Sequence, residues 1–139
     1  MLLMTSCKRY DQIRVLSLRD LGLTSVFKHI WKRCENLQLL FLGGNNITNR
    51  DINDNLHKMP QLLKLDMSSN DLKYLPRDKN FFSKLKNLQV LILQDNLFES
   101  PAELVGLQGA QNLRHIILED NPIVEAGAGF SKWDSKYRF

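Results

Sequence analysis

Residues 40–46 read LFLGGNN, and a glycine pair after an apolar run is one way to cradle a phosphate. That chemistry needs a Lys and then a Ser or Thr after the glycines, so that an ammonium and a hydroxyl reach the phosphate and its metal. Gly43 and Gly44 are followed by Asn45 and Asn46 instead, which sets a nucleotide loop aside. His29, His57 and His115 stand far apart, with no Cys or carboxylate at ligand spacing, so no zinc or other metal site is expected. Neither Cys7 nor Cys34 has a local base motif beside it, and no G-x-S-x-G elbow occurs. Asp95 and Asp120 would meet if they sat on adjacent parallel strands, about 4.8 Å apart. They are read as an acidic patch, and neither an enzymatic activity nor a cofactor is expected.

The elements that position these residues emerge from repetition. One apolar pattern recurs five times: IRVLSLRDLGL from Ile13, LQLLFLGGNNI from Leu37, LLKLDMSSNDL from Leu62, LQVLILQDNLF from Leu88 and LRHIILEDNPI from Leu113. The starts lie 24 to 26 residues apart. Leu40 and Leu42, Leu65 and Met67, Leu91 and Leu93, and Ile116 and Leu118 are two apart, so in a strand each pair points to one face. One unit cannot bury that face alone. Stacked units lay their strands into a parallel sheet, and the returning segments close the back. Asn45, Asn70, Asn96 and Asn121 fall where the chain must turn, and an inward amide there can donate and accept as a structural ladder. The first unit has Leu21 at that position.

The pattern L-x-x-L-x-L-x-x-N-x-L over about residues 13–123 resembles the leucine-rich repeat. The resemblance implies an α/β solenoid of five repeats, with a concave parallel sheet and a helical or irregular convex side. Residues 1–12 are then a capping segment, and residues 124–139 a partial C-terminal cap. Asn121, Pro122, Tyr137 and Arg138 match the cap of the cytosolic branch, which usually runs from Asn-Pro to Tyr-Arg. The intervening stretch is longer than usual and the sequence stops at Phe139, so a piece of a longer protein is expected, with Phe130, Trp133, Tyr137 and Phe139 as the alternative cover for the last strand. The Leu75-Pro76 pair and the KNL before the fourth strand also look like the cytosolic group. Residues 62–138 look closest to the ciliary leucine-rich-repeat and IQ-motif proteins, although no IQ motif is present.

Four returning segments differ in character. SVFKHIWKRCENL places Val26, Phe27, Ile30, Trp31 and Cys34 at helical spacing behind a Ser25 cap. DINDNLHKMPQL offers Ile52, Leu56 and Met59, ended by Pro60. FFSKLKNL suggests a short helical turn, and PAELVGL starts with Pro101 at a first helical position.

Composition sets the outer bounds. With 139 residues, 43% hydrophobic and 24% charged, the chain suits one ordinary globular domain. A formal charge of +4 permits nucleic acid without implying it. The clusters Lys28, His29, Lys32, Arg33 and Arg77, Lys79, Lys84, Lys86 are read as solvated outer faces. Two cysteines suggest free thiols in a reducing compartment, and the start MLLMTSCKRY lacks the basic region of a signal peptide. No window reaches the length of a membrane span. The chain is therefore placed in the cytoplasm, with cilium, cytoskeleton and nucleus in range, and no membrane contact. The Asn46-Ile47-Thr48 sequon is expected to stay unmodified.

If the fourth and sixth motif positions are core, the third, fifth, seventh and eighth face outward across the sheet. The third row reads Val15, Leu39, Lys64, Val90, His115, and the fifth Ser17, Phe41, Asp66, Ile92, Ile117. The seventh reads Arg19, Gly43, Ser68, Gln94, Glu119, and the eighth Asp20, Gly44, Ser69, Asp95, Asp120. An outward apolar set of Val15, Leu39, Phe41, Val90, Ile92 and Ile117 marks a binding face. Phe41 is the expected anchor, Gly43 and Gly44 a shallow dimple beside it, and Lys64 and Asp66 a charged break close enough to pair. The function expected is a monomeric, non-enzymatic scaffold docking another protein on this face, of ciliary, cytoskeletal or phosphatase-associated kind. The alternative is a ribonucleoprotein component that holds an RNA-binding protein and meets nucleic acid only indirectly.

Overall fold

The structure is a computed structural model and describes residues 9–126. Five three-residue strands, β1 (Val15–Ser17), β2 (Leu39–Phe41), β3 (Lys64–Asp66), β4 (Val90–Ile92) and β5 (His115–Ile117), form one parallel sheet in chain order. The register pairs Val15 with Leu39, Leu39 with Lys64, Lys64 with Val90 and Val90 with His115. Each motif position therefore becomes a row across the sheet, as the repeat predicts.

The reason is the apolar pair in each unit. Leu16 and Leu18, Leu40 and Leu42, Leu65 and Met67, Leu91 and Leu93, and Ile116 and Leu118 are all buried in one continuous core from Ile13 to Ile123. Truncating one such Leu to Ala in a packed core costs about 2–5 kcal/mol. The inter-repeat spacing thus fixes the register through the core rather than through the short ladders alone.

The four asparagines bind the turns together. Asn45 Nδ2 donates to the carbonyls of Leu18 and Leu42, and its Oδ1 accepts from the N–H groups of Leu21 and Leu23. Asn70 accepts from Ile47 and donates to Leu42, and Asn121 accepts from Phe98 and donates to Leu93. Asn96 takes the N–H groups of Asn70 and Leu72 and donates to Met67 and Leu93. Each amide reaches back one repeat and satisfies backbone groups that no strand partner could meet. Leu21, at this position in the first unit, is 44% exposed.

A second ladder, not anticipated from the sequence, runs along the opposite ends of the strands. Asn36, Gln61, Asn87 and Asn112 each precede the first leucine of a unit. Their amide nitrogens donate to the carbonyls of Asp11, Cys34, Pro60 and Lys86, one repeat earlier.

On the convex side, α1 (Phe27–Ile30) follows β1, and α2 (Asn49–Asn55) with a 3-10 turn (Leu56–Lys58) follows β2. After β3 comes α3 (Lys79–Ser83), after β4 a 3-10 helix (Pro101–Gly109), and α4 (Pro122–Ala126) closes the described chain. Pro101 does open its segment, but the winding there is 3-10. Glu103 from its first turn accepts from the N–H groups of Glu99 and Ser100.

The Ser25 cap expected for α1 is absent: Val26 is the N-cap and no side chain of the segment caps it. Instead Asp51, from the next repeat and 4% exposed, accepts from the N–H groups of Val26, Phe27 and Lys28 at 2.7, 2.9 and 2.9 Å. A carboxylate offers several acceptor sites where a hydroxyl offers one or two, and its charge suits the positive end of a helix. Asp51 is itself held by Asn55 Nδ2 and by donation from its own N–H to Thr48 Oγ1. The expected cap residues Tyr137 and Arg138, together with Phe130, Trp133 and Phe139, lie outside the described residues, as does Cys7.

Candidate protein-docking face

The third- and fifth-row side chains project from β1–β5 on the side away from the core. Val15 is 57% exposed, Ser17 and His115 are exposed, and Leu39, Phe41, Val90, Ile92 and Ile117 are half-buried. Val90, Ile92 and Ile117 lie together on β4 and β5, since Val90 pairs with His115 and Ile92 with Ile117. The apolar set thus falls into two parts, one around Leu39 and Phe41 and one on the last two strands.

Between them the geometry departs from expectation. Asp66 lies on the outward row yet is 3% exposed, because Arg19 crosses from the end of β1 and donates to its carboxylate at 3.0 Å. Ser68 N–H donates to the other oxygen at 2.9 Å. Asp66 is therefore paired with Arg19 and not with Lys64, and it is no open contact for a partner. Lys64 turns to Phe41 instead: its Nζ stands 5.5 Å from the ring centre, and the Arg19 guanidinium carbon stands 5.0 Å from it. Two cations share one aromatic ring, and the anchor expected at Phe41 is held under a charged clasp.

The glycines serve this clasp rather than an open dimple. Arg19, Gly43 and Ser68 occupy the same motif position on successive units. A Cβ on Gly43 would come 2.9 Å from Ser68 Oγ and 4.0 Å from Asp66 Oδ1. Gly44 has φ +72, and a Cβ there would collide with the Asp20 carboxylate. The space next to Phe41 is thus taken by neighbouring polar groups. The eighth position is left-handed in every unit, with φ of 56, 52, 54 and 58 at Asp20, Ser69, Asp95 and Asp120. Glycine suits it at least cost, and Asp tolerates it.

Asp95 and Asp120 each have a partner in the preceding unit. Asp95 accepts from Ser69 Oγ at 2.8 Å and Asp120 from Gln94 Nε2 at 3.1 Å, so each is tied laterally to the preceding unit. Among the described residues, no group of three or more His, Cys, Asp or Glu side chains is arranged to hold a metal ion. No helix among them is long and apolar enough to cross a membrane.

A leucine-rich-repeat family model matches residues 11–72, in line with the stacked strands and asparagine ladder. The chain has the leucine-rich-repeat fold. This leucine-rich-repeat chain is similar to leucine-rich repeat and IQ domain-containing protein 3 of mouse, 38% identical over 90 residues, which is 65% of this chain and 14% of that protein. The human protein of the same name is 34% identical over 90 residues, with the same coverage. The chain thus spans about 14% of the length of these curated relatives. A chain in the structure of the Toll–Spatzle complex from Drosophila superposes with a TM-score of 0.62 at 22% identity, covering 78% of this chain and 14% of that one. That likeness concerns the fold.

Proposed function

We propose that this leucine-rich-repeat unit is a non-enzymatic scaffold that docks another protein on its concave sheet. The observation that carries the proposal is the set of half-buried apolar side chains, Leu39 and Phe41 on β2 and Val90, Ile92 and Ile117 on β4 and β5, on a face that the convex segments leave open. Solenoids present such extended concave surfaces by construction. Isolated surface hydrophobes need no explanation, but Val90, Ile92 and Ile117 clustered on two adjacent strands fit an interaction site.

On this reading Val90, Ile92 and Ile117 supply an apolar seat with His115 beside Val90, and Val15 stands beside Leu39 in the other part of the face. Arg19 and Lys64 stand over the Phe41 ring and Lys64 offers a cation to a partner's carboxylate, while Asp66 holds Arg19. The unit acts as a monomer in the cytoplasm, in a ciliary or cytoskeletal setting, without membrane contact. Residues 13–123 form the repeats. Similarity to the leucine-rich repeat and IQ domain-containing relatives supports reading the unit as a repeat module.

The test is capture of partners from a cell extract by the wild-type chain and by Ile92→Glu and Phe41→Ala, side by side. The same protein should be lost from both variants, while their far-UV circular dichroism matches the wild type. A buried anchor aromatic at an interface typically contributes about 2 kcal/mol or more, which is roughly thirtyfold in affinity. Equal capture by both variants removes the concave sheet as the docking face.

A further inference from the structure

A second charged surface lies where the convex segments turn back toward the sheet. Arg33 Cζ stands 5.7 Å from the centre of the Tyr10 ring, and Lys32 and Lys58 Nζ stand 5.1 and 4.8 Å from the Trp31 ring. Trp31 and Phe81 are packed against the core, and the His57 ring lies 5.0 Å from Phe81. Lys84 is near enough to act on His57 electrostatically. The contacts run from Tyr10 to Lys84 across three successive repeats.

The charges along this line are not neutralised by the protein itself. Asp11 is taken by Arg9 and Asp54 by Arg50. Among the described residues, Lys32, Arg33, Lys58 and Lys84 form no ion pair with a carboxylate. Glu35 is the single acid in the turn that carries Lys32 and Arg33. A surface lysine ordinarily gives up rotamer freedom when it pairs. Here Lys32, Lys58 and Arg33 already rest against rings, so less freedom is left to lose.

We infer that this strip docks an extended, Asp- and Glu-rich polypeptide segment, separately from the concave sheet. An extended segment rises about 3.3 Å per residue, so its carboxylates can meet cations of neighbouring repeats together. Single-stranded nucleic acid is the less suited occupant: it is held by bases stacked on open aromatic faces, and here the cations already stand over Trp31 and Tyr10.

The probe is a fluorescein-labelled oligoglutamate, titrated with the full chain at low ionic strength and followed by anisotropy. The wild type should bind, with affinity falling as salt rises. Lys58→Glu combined with Lys84→Glu should weaken binding about tenfold, and the neutral pair Lys58→Gln with Lys84→Gln by less. Lys73→Glu combined with Arg77→Glu changes net charge by the same amount away from the strip, and should alter affinity by no more than about twofold. Circular dichroism establishes that each variant is folded. No binding by the wild type, or equal loss in the two charge-reversed pairs, overturns the inference. So does tighter binding of an RNA homopolymer that shows the same dependence on Lys58 and Lys84.

Discussion

At the scale of single residues, buried amides carry more than their size suggests. Asn96 satisfies two N–H groups and two carbonyls from two units. Asn96→Ala would leave these backbone groups buried without partners, each worth about 1–3 kcal/mol of desolvation. A loss of about 3 kcal/mol or more is expected in urea unfolding, larger than for an exposed residue such as Asn112→Ala. His57 supplies a pH dependence. Its Nδ1 is buried without a hydrogen-bond partner, and burial, then the charges of Lys84 and Lys58, lower its pKa from the usual 6.5, against an opposite pull from Asp54. The unfolded chain therefore takes up the proton first. Stability from this group is fully present above about pH 6.5 and is lost as pH falls from there through the lower folded-state value. Urea midpoints measured between neutral and mildly acidic pH should fall for the wild type and fall less for His57→Leu. A slope unchanged by the substitution would assign the effect to other groups. The asparagine row was legible because one residue type recurs at one motif position. The second ladder carries the same kind of signal, an amide before each leading leucine, but Gln61 breaks the identity and the helical reading of the flanking segments absorbed it.

At the scale of elements, periodicity located every strand, whereas the convex segments depend on contacts from the neighbouring repeat. The four-residue α1 is too short to persist alone. Its first three N–H groups are held by Asp51 of the following unit, and no local pattern around Ser25 could reveal an acceptor 23 to 25 residues away. Asp51→Ala should destabilise the chain by about 3 kcal/mol, since charge-assisted hydrogen bonds to buried donors are lost together. Hydrogen exchange should then accelerate selectively at Val26, Phe27 and Lys28. Protection unchanged at these amides would show that α1 is held by core packing of Phe27 and Ile30 instead. The 3-10 helix also owes its path to a neighbour. A Cβ on Gly106 would clash with the Pro76 carbonyl, so the backbone there approaches the segment before α3 too closely for any other residue.

At the scale of the whole molecule, the outward rows were legible in register but not in state. Alternation placed Phe41, Lys64 and Asp66 on the open face, which the strand pairing reproduces. It could not foresee that Arg19 would span Gly43 to reach Asp66, because that pair joins the ends of non-adjacent strands through space. The molecule therefore offers two unlike surfaces: a concave apolar row, clasped at Phe41, and a convex-side line of cations on aromatic supports. The measurement that separates them is side-chain footprinting by hydroxyl radicals, on the chain alone and with a partner recovered by capture. Docking on the concave sheet predicts protection of Leu39, Phe41, Val90, Ile92 and Ile117, with Trp31 and Tyr10 unchanged. Protection confined to Trp31 and Tyr10, with the sheet residues as reactive as before, would contradict it.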